Sequence, residues 1–310
     1  MVPESCPVPT LPGVVGERMQ QIVVNGIVAA AVYVVAGFGF GLIYRTATFF
    51  HIAQAAIIAV GAYGTYWLCV GIGFPLPVAV LLSVVFSAIV GACADQAIFR
   101  PLRRRGASPL VLLLASLGLY VVLTNLLSMA FGDSIKTIAW GRVEEGWRVF
   151  GARITTVQAM TIAIIALLAV LSAIAFRSTK IGITLRAVAD DPELAGISGI
   201  EVDRVVLVAS AVGSGLSGLA GILLALDLGM TPMMGLNVLL MGVVAFIIGG
   251  GLKDMTGLVA GGLFLGLSQH LAGWLIGPQW QYAMAFVVLI VLLLLRPKGM
   301  WLSQSHGSLA

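Results

Sequence analysis

Charged residues are scarce in this chain of 310 residues. Only 10% are Asp, Glu, Lys or Arg and 60% are hydrophobic, whereas a soluble domain carries about 25% charged residues. The net charge is only +4, which leaves no basic surface large enough to collect nucleic-acid phosphates. The composition therefore excludes a soluble globular protein and a nucleic-acid-binding protein. It predicts a protein whose surroundings are a lipid bilayer.

Side chains that perform chemistry are scarce too. A metal or acid–base enzyme in a membrane needs His, Asp, Glu or Cys groups that converge at one depth, and the sequence offers no such group. Cys6, Cys69 and Cys93 have no metal-ligand spacing. No Lys follows a Gly, so the phosphate-binding sequence Gly-x4-Gly-Lys-Ser/Thr is absent. We expect a chain that is not an enzyme, binds no metal or cofactor, and does not itself hydrolyse ATP.

Long stretches without charge indicate the membrane-spanning helices. These stretches are residues 19 to 44, 46 to 94, 106 to 132, 154 to 176, 205 to 226, 228 to 252 and 255 to 295. Because a span needs about 20 apolar residues, the two longest stretches each predict two helices and the others one. The stretch from 228 to 252 is the weakest, since two glycines, a threonine and a proline interrupt its first half. The prediction is an all-α, polytopic bundle of eight to nine spanning helices that forms one membrane domain over residues 1 to 310.

Basic residues indicate the orientation of this bundle. If nine helices alternate across the membrane, five basic residues fall on one side, namely Arg18, Lys136, Arg142, Arg148 and Arg153. The other twelve are Arg45, Arg100, Arg103, Arg104, Arg105, Arg177, Lys180, Arg186, Arg204, Lys253, Arg296 and Lys298. Since cytoplasmic loops are rich in Lys and Arg, the C-terminus and the loop 177 to 203 are predicted to be cytoplasmic. Residues 1 to 21, which lack a cleavable signal pattern, and the loop 133 to 156 are predicted to be external. The chain is thus expected to be a multi-pass protein of the cytoplasmic (inner) membrane.

Glycine is abundant, with 38 residues. Several small residues lie four apart: Gly37 and Gly41, Ser214 and Gly218, Ser217 and Gly221, Gly257 and Gly261, and Gly262 and Gly266. This spacing puts small residues on one helix face and lets helix backbones approach closely. Two interpretations stay open, cohesion of the bundle and a moving pathway bordered by some of these glycines.

Few polar residues within the apolar stretches could contact a solute. Asn125 is predicted to lie deep in the fourth span, where an amide usually makes an interhelical hydrogen bond. His51 and Gln54 lie near the start of the second span. These three residues are the candidates for a substrate pathway, and an interfacial hydrogen bond is the alternative role for His51. Asp95 lies near Arg100 and is predicted to reach the membrane interface rather than to carry a proton within the bilayer.

The loop 177 to 203 contains a strong helix start. Its signals are an N-cap, a first-turn proline, a first-turn acid and a terminal glycine, at Asp191, Pro192, Glu193 and Gly199. They predict a helix of about two turns that exposes Leu194 and Ile197. Because two turns are unstable alone in water, this helix must pack against a partner groove, against its own bundle, or against lipid headgroups.

This loop resembles the cytoplasmic coupling loop of bacterial ABC importer permeases, specifically of the branched-chain amino acid permease family. The residues that carry the resemblance are Arg186, Asp190, Asp191, Pro192, Glu193, Leu194, Gly196, Ile197 and Gly199. Residues 51 to 63 are similar to the second-span motif of the family, with Ala56 where an acidic residue often stands. Its glycine-rich turn between late helices is matched by Gly249, Gly250, Gly251, Gly257, Gly261 and Gly262, which would serve helix packing or a hinge.

The resemblance implies a permease subunit of an ATP-driven importer for branched-chain or related small amino acids or amides. Two permease subunits, identical or homologous, would line one pathway. Two ABC ATPase subunits would bind the coupling loops and hydrolyse ATP, and an external solute-binding protein would deliver the solute. The loop 133 to 156, with two tryptophans, offers a surface for that protein, although tryptophan is also common at bilayer interfaces. The alternative is an ATP-independent channel or secondary transporter for a small polar solute.

Overall fold

The computed structural model describes residues 12–138, 147–149, 152–251 and 255–295. Within these residues the chain forms a helical bundle and one short hairpin. The helices are α1 (Pro12–Ala47), α2 (Ala53–Tyr66), α3 (Leu76–Ala94), α4 (Arg100–Arg104), α5 (Pro109–Phe131), α6 (Thr156–Ser178), α7 (Lys180–Asp190), α8 (Pro192–Ile197), α9 (Val202–Leu228), α10 (Met234–Ile248), α11 (Met255–Leu275) and α12 (Gln281–Leu295). The strands β1 (Trp147–Val149) and β2 (Ala152–Ile154) pair antiparallel. π-helical turns at Trp67–Ile72 and Asp95–Phe99 extend α2 and α3, and a 3-10 turn at Pro278–Trp280 precedes α12.

Six helical segments are long and apolar enough to cross a membrane, counted over the described residues. They are Met19–Ala47, Ala53–Ile72, Leu76–Arg104, Pro109–Phe131, Val202–Leu228 and Gly257–Leu275. Shorter apolar helices cover Thr156–Leu168, Met234–Ile248 and Pro278–Leu294. The predicted all-α membrane bundle is confirmed, whereas the count of eight to nine spans is not. A helix of 15 residues such as α10 is only about 22 Å long, less than the roughly 30 Å of hydrocarbon.

Parts of several predicted regions lie outside the described residues. These parts are residues 1 to 11 of the N-terminal segment, 139 to 146 and 150 to 151 of the predicted external loop, 252 to 254 after the glycine turn, and 296 to 310 at the C-terminus.

The break in the apolar stretch after residue 227 separates α9 from α10. The helix α9 ends at Leu228, and Gly229 follows with a φ of 82°, a left-handed conformation that glycine adopts without strain. Met230 then pairs with Lys136 as an isolated antiparallel bridge, and α10 begins at Met234. The interruption read from the sequence is therefore real, and it shortens the following helix.

The long helix α1 is the centre of the core. Its charge-free stretch packs against α9, α10 and α11, and these pairs are among the most extensive helix contacts of the bundle. Glycine permits this approach: a Cβ added at Gly37 would lie 2.5 Å from the carbonyl oxygen of Gly242, and one at Gly39 would lie 2.5 Å from that of Gly213. Since real Cβ atoms do not come so close, the small residues determine how α1 crosses α9 and α10.

Ion pairs join several helix ends on one side of the bundle, which we call the basic face. Arg45 at the end of α1 lies 3.4 Å from Asp190 at the end of α7, measured from Nη2 to Oδ1. Asp203 at the start of α9 accepts from Arg100 Nε at 3.1 Å and from Arg104 Nε at 2.9 Å. Four helices and the segment that contains α8 therefore meet at this face.

The other ends of these helices meet at the opposite face. The side chain of Gln21 in α1 exchanges hydrogen bonds with the backbone of Arg153 in β2, at 2.9 and 3.1 Å. The backbone of Lys136, after α5, pairs with that of Met230, after α9. Among the described residues, fewer basic residues lie here than at the basic face, which agrees with the uneven division read from the sequence.

Candidate translocation cavity and coupling helix

The helix α8 has the ends that the sequence predicts. Asp191 Oδ1 accepts hydrogen bonds from the backbone nitrogens of Glu193 and Leu194, both at 3.0 Å. Pro192 occupies the first helical position, where its missing N–H costs nothing. The chain then turns at Gly199, whose φ is 84°. The predicted helix start and stop are confirmed.

Two apolar side chains of α8 face away from the bundle. Leu194 is 62% exposed and Ile197 is 85% exposed, whereas Ala195 between them is buried. The helix contacts α7 and α9 of its own chain. Packing on the bundle therefore accounts for the Ala195 side of α8 and leaves the Leu194 and Ile197 side uncovered within this chain.

The preceding helix α7, which the sequence analysis did not predict, anchors α8 to the bundle. Thr179 caps its start by accepting from the backbone nitrogen of Gly182 at 3.1 Å. Leu185 and Val188, three residues apart on one helix face, are both buried, and Leu185 belongs to the main core cluster. Arg186 is exposed on the other side, with Nε donating to the carbonyl of Gly182 at 3.4 Å.

Asp95 lies at the end of α3 and is enclosed by protein rather than by solvent. It is buried, and its two carboxylate oxygens accept from Arg103 Nη1 at 2.7 Å and Nη2 at 3.2 Å. The bidentate guanidinium of Arg103 neutralises the carboxylate, so the charge of Asp95 is stabilised without contact with water. Arg100, which lies near Asp95 in the sequence, pairs with Asp203.

Within the described part of the chain, Asn125 hydrogen-bonds inside α5 and not to another helix, and its place in a substrate pathway stays a prediction. Asn125 is on the exposed side of α5, and its Nδ2 donates to the carbonyl of Val121 in the same helix at 2.7 Å. Only a narrow face of α5 is buried within this chain, formed by Leu112, Ser116 and Thr124. Asn125 follows Thr124 directly and is therefore rotated about 100° away from that face.

Gln54 is fully buried between α2 and α9. Its Nε2 donates to the hydroxyl of Ser217 and to the carbonyl of Gly213, the latter at 3.3 Å. This amide joins two helices that also approach closely at Gly61 and Gly218. Gln54 therefore contributes to helix packing in this conformation.

His51 lies between α1 and α2 and is buried against aromatic rings. Its ring centroid is 4.7 Å from that of Phe99 and 5.5 Å from that of Phe49. The pKa of His51 is lowered to about 4, chiefly by burial and also by the positive charge of Arg103, while a backbone hydrogen bond acts in the opposite direction. The imidazole is therefore neutral at pH 7. His51, Gln54 and Asn125 do not come together, and none of them lines the cavity described next.

A cavity of about 480 Å³ lies towards the opposite face. Residues of α1, α6, α9, α10, α11 and α12 line it, together with the segment that links α9 to α10. The polar lining residues include Asn25, Gln158, Asp227, Asn237, His270 and Gln281. The sequence analysis missed this set because its members come from six helices, although Asp227 was visible as the charge that divides two apolar stretches.

Among the described residues that line this cavity, Asp227 is the one acidic residue. It lies in the last turn of α9, and its Oδ1 accepts from Gln158 Nε2 of α6 at 3.3 Å. The structure pairs no Lys or Arg with it among the residues described. A half-buried carboxylate with one neutral hydrogen-bond donor and no ion-pair partner among the described residues is uncommon in a membrane bundle.

The comparisons with known proteins agree with these observations. Residues 22–293 match the model of the family described as branched-chain amino acid transport system, permease component. The chain belongs to this permease family. LivH of Escherichia coli (strain K12), a high-affinity branched-chain amino acid transport system permease protein, is 27% identical over 297 residues, 89% of this chain and 92% of LivH. BraD of Pseudomonas aeruginosa, with the same description, is 25% identical over 91% of this chain and 94% of BraD. A probable branched-chain amino acid transport permease protein LivH of Methanocaldococcus jannaschii is 27% identical over 92% of both chains.

As a member of the permease family, the chain is a multi-pass transporter component and not an enzyme. Its glycine-rich turn joins α10 to α11. Gly250 and Gly251 have φ values of 78° and 79°, and a Cβ added at Gly249 would lie 2.6 Å from the carbonyl oxygen of Gly257. One added at Gly261 would lie 2.7 Å from that of Ala245. Close helix approach therefore requires glycine at Gly249 and Gly261, and the turn favours it at Gly250 and Gly251; a hinge role of this segment stays a prediction.

Proposed function

We propose that this chain is the permease subunit of an ABC importer in the inner membrane, with branched-chain or related small amino acids as solutes. The names of the similar permeases support the solute class. The observation that carries the assembly is α8, a capped helix of six residues that leaves Leu194 and Ile197 exposed. We infer that α8 binds an ABC ATPase subunit, which hydrolyses the ATP that this chain does not bind.

The energetic reason for this docking is the exposed apolar surface of α8. Burial of a leucine or isoleucine side chain contributes roughly 1.5–3 kcal/mol. Both side chains project from a helix whose Ala195 is anchored against the bundle, so little ordering is needed when a partner binds. Burial of both in a groove of the ATPase therefore stabilises the complex by a few kcal/mol.

Movement of the ATPase would pass to the bundle mainly through packed side chains. The ion pair between Asp190 and Arg45 has one carboxylate side chain that is 72% exposed, and such pairs contribute about 0–1 kcal/mol. Leu185 and Val188 of α7 are buried in the bundle and resist separation more strongly. ATP-driven closure of two ATPase subunits would then displace α8 and α7 together and rock the helices packed against them.

The same proposal orients the subunit and its other partners. The basic face, with α8, lies in the cytoplasm, and the C-terminus follows α12 to the same side. The opposite face receives the external solute-binding protein, and the cavity below it accepts the solute. A second permease subunit, identical or homologous, completes the pathway, and the exposed apolar sides of α3 and α5 are available for that subunit and for lipid.

The experiment replaces the two exposed residues of α8 in the tagged chain co-expressed with its ATPase. Leu194→Asp and Ile197→Asp each put a charge where apolar burial is expected, and each should abolish co-purification of the ATPase and ATP-driven leucine uptake in vesicles. The matched control, Ser198→Asp, adds the same charge one residue later and keeps both apolar side chains, so uptake should persist.

Full uptake by Leu194→Asp together with Ile197→Asp would overturn the docking role of α8. Solute uptake by the purified wild-type chain without an ATPase would instead support the channel or secondary transporter.

A further inference from the structure

The position of Asp227 is electrostatically unfavourable for an isolated carboxylate. It occupies the last turn of α9, where the free carbonyl groups of a long helix carry a partial negative charge. No basic residue lies in that turn to offset either charge. A cation placed beside Asp227 would neutralise the carboxylate and reduce its repulsion by the helix end, because both negative groups attract the cation.

The protein does not supply that cation within the described residues. Lys136 lies near the end of α9, where its backbone is hydrogen-bonded to that of Met230. Its side chain forms no ion pair with Asp227. His270 also lines the cavity, with Nδ1 3.0 Å from the carbonyl oxygen of Gly266. The carboxylate thus faces a cavity whose remaining polar lining is largely neutral amide.

The rest of the cavity matches the other parts of an amino acid. Asn25, Asn237 and Gln281 line it with amide groups, which can donate to a carboxylate. Val28, Val32 and Leu223 line it with apolar surface for an aliphatic side chain. A volume of about 480 Å³ lies within the range of roughly 300–1,000 Å³ that small-molecule sites occupy.

We propose that Asp227 binds the ammonium group of an amino-acid solute in this cavity and thereby makes the permease itself selective for solutes that carry an amine. The inference rests on the proposed importer function and deepens it. It assigns a solute-binding group to the membrane subunit, in addition to whatever selection the binding protein makes. It also favours amino acids over the neutral amides that the sequence left open.

The test compares three variants of the complete transporter, reconstituted in vesicles with ATP and with leucine-loaded binding protein at saturating concentration. Asp227→Asn keeps the shape and the acceptor for Gln158 but removes the charge, and it should lower leucine uptake at least about tenfold, since a hydrogen bond to a charged group contributes more than one tenfold step. Asp227→Glu should retain part of the uptake. The control Glu201→Gln neutralises an exposed carboxylate at the other end of α9 and should transport as the wild type does.

A fourth variant and an assembly control separate solute binding from a purely structural role of Asp227. Asp227→Ser is a second neutral side chain, and leucine uptake by every variant is expressed per assembled transporter. If Asp227 binds the solute, both neutral variants lose uptake per assembled transporter, whereas Asp227→Glu keeps part of it. If Asp227 only joins α6 and α9 through Gln158, the variants lower the amount of assembled transporter and leave the uptake of each assembled transporter at the wild-type rate. That second result would overturn the proposal.

Other outcomes also decide. Uptake by Asp227→Asn at the wild-type rate would overturn the proposal. So would a defect that appears only when the binding protein is below saturation, because Asp227 would then serve docking of that protein. Absence of ATP-driven leucine uptake in the wild-type transporter would overturn the proposed function instead, and this result is separate from any difference between the variants.

Discussion

The buried pair of Asp95 and Arg103 provides a sharp test of how charge is accommodated in this bundle. The Asp95 side chain is 3% exposed and that of Arg103 is 17% exposed, so neither charge is well hydrated. Arg103→Met removes the guanidinium but leaves the carboxylate buried without a partner. Breaking a buried pair in this way costs about 3–5 kcal/mol, and we expect a loss of that size in the free energy of unfolding.

Neutralising the remaining partner should restore much of the stability. In the Arg103→Met background, Asp95→Asn removes the unpaired charge and should recover at least about 2 kcal/mol, because a neutral pair in a low-dielectric site is far less costly than one lone ion. The measurement is unfolding of the purified chain in mixed micelles as the fraction of a denaturing detergent rises. It gives the free energy of unfolding for the wild type, for Arg103→Met and for the double variant.

The control is the exposed pair of Arg204 and Glu201, whose side chains are 75% and 68% exposed. Arg204→Met should change the free energy of unfolding by less than about 1 kcal/mol. A similar small effect of Arg103→Met would refute the reasoning, since it would mean that the Asp95 carboxylate is hydrated or relocates without cost. Failure of Asp95→Asn to improve on Arg103→Met would refute it as well.

Two further predictions concern His51 and the glycine contacts. The pKa of His51 is lowered to about 4 in the folded chain and is about 6.5 when unfolded; between these values the unfolded state binds the extra proton, so stability should fall as the pH falls. From pH 7.5 to 5.5 the loss attributable to His51 is about 1.3 kcal/mol, and a melting series in detergent should show that it vanishes in His51→Phe. For the glycines, Gly37→Ala should cost about 1–3 kcal/mol because its Cβ meets the Gly242 carbonyl. Gly118→Ala on α5, where a Cβ meets nothing within 4 Å, should be neutral or stabilising by up to about 1 kcal/mol; equal effects of the two substitutions would contradict the packing argument.

Features that depend on neighbouring residues could be predicted from the sequence. The helix α8 follows from four adjacent signals, of which the Asp191 cap and the Gly199 turn each act within three residues. The interruption between α9 and α10 follows from local glycine and proline chemistry in the same way. The membrane bundle itself follows from the low charge content, because few other folds tolerate so apolar a chain.

Features that depend on which way a helix faces could not be predicted. Asn125 lies in the expected span but on its exposed side, since nearly every position of α5 is apolar and the sequence shows no periodic face. The bidentate partner of Asp95 is Arg103, eight residues further along and beyond a π-helical turn, and no sequence signal distinguishes it from the neighbouring arginines. The cavity was missed because six helices contribute to it.

The basic face and the cavity around Asp227 lie at opposite ends of the same helices, and this arrangement can link ATPase movement to the cavity. The helix α9 carries Asp203, which is paired at the basic face, and Asp227 at the cavity. The helix α1 carries Asn25 at the cavity and Arg45 at the basic face. The rise of 1.5 Å per residue puts the two sites about 30–36 Å apart along these helices. Because a hydrogen-bonded helix hardly changes its length, displacement of one end must appear at the other as tilt or translation. If α8 and α7 displace the ends of α1 and α9 at the basic face, the cavity around Asp227 would therefore change shape although the ATPase contacts nothing there.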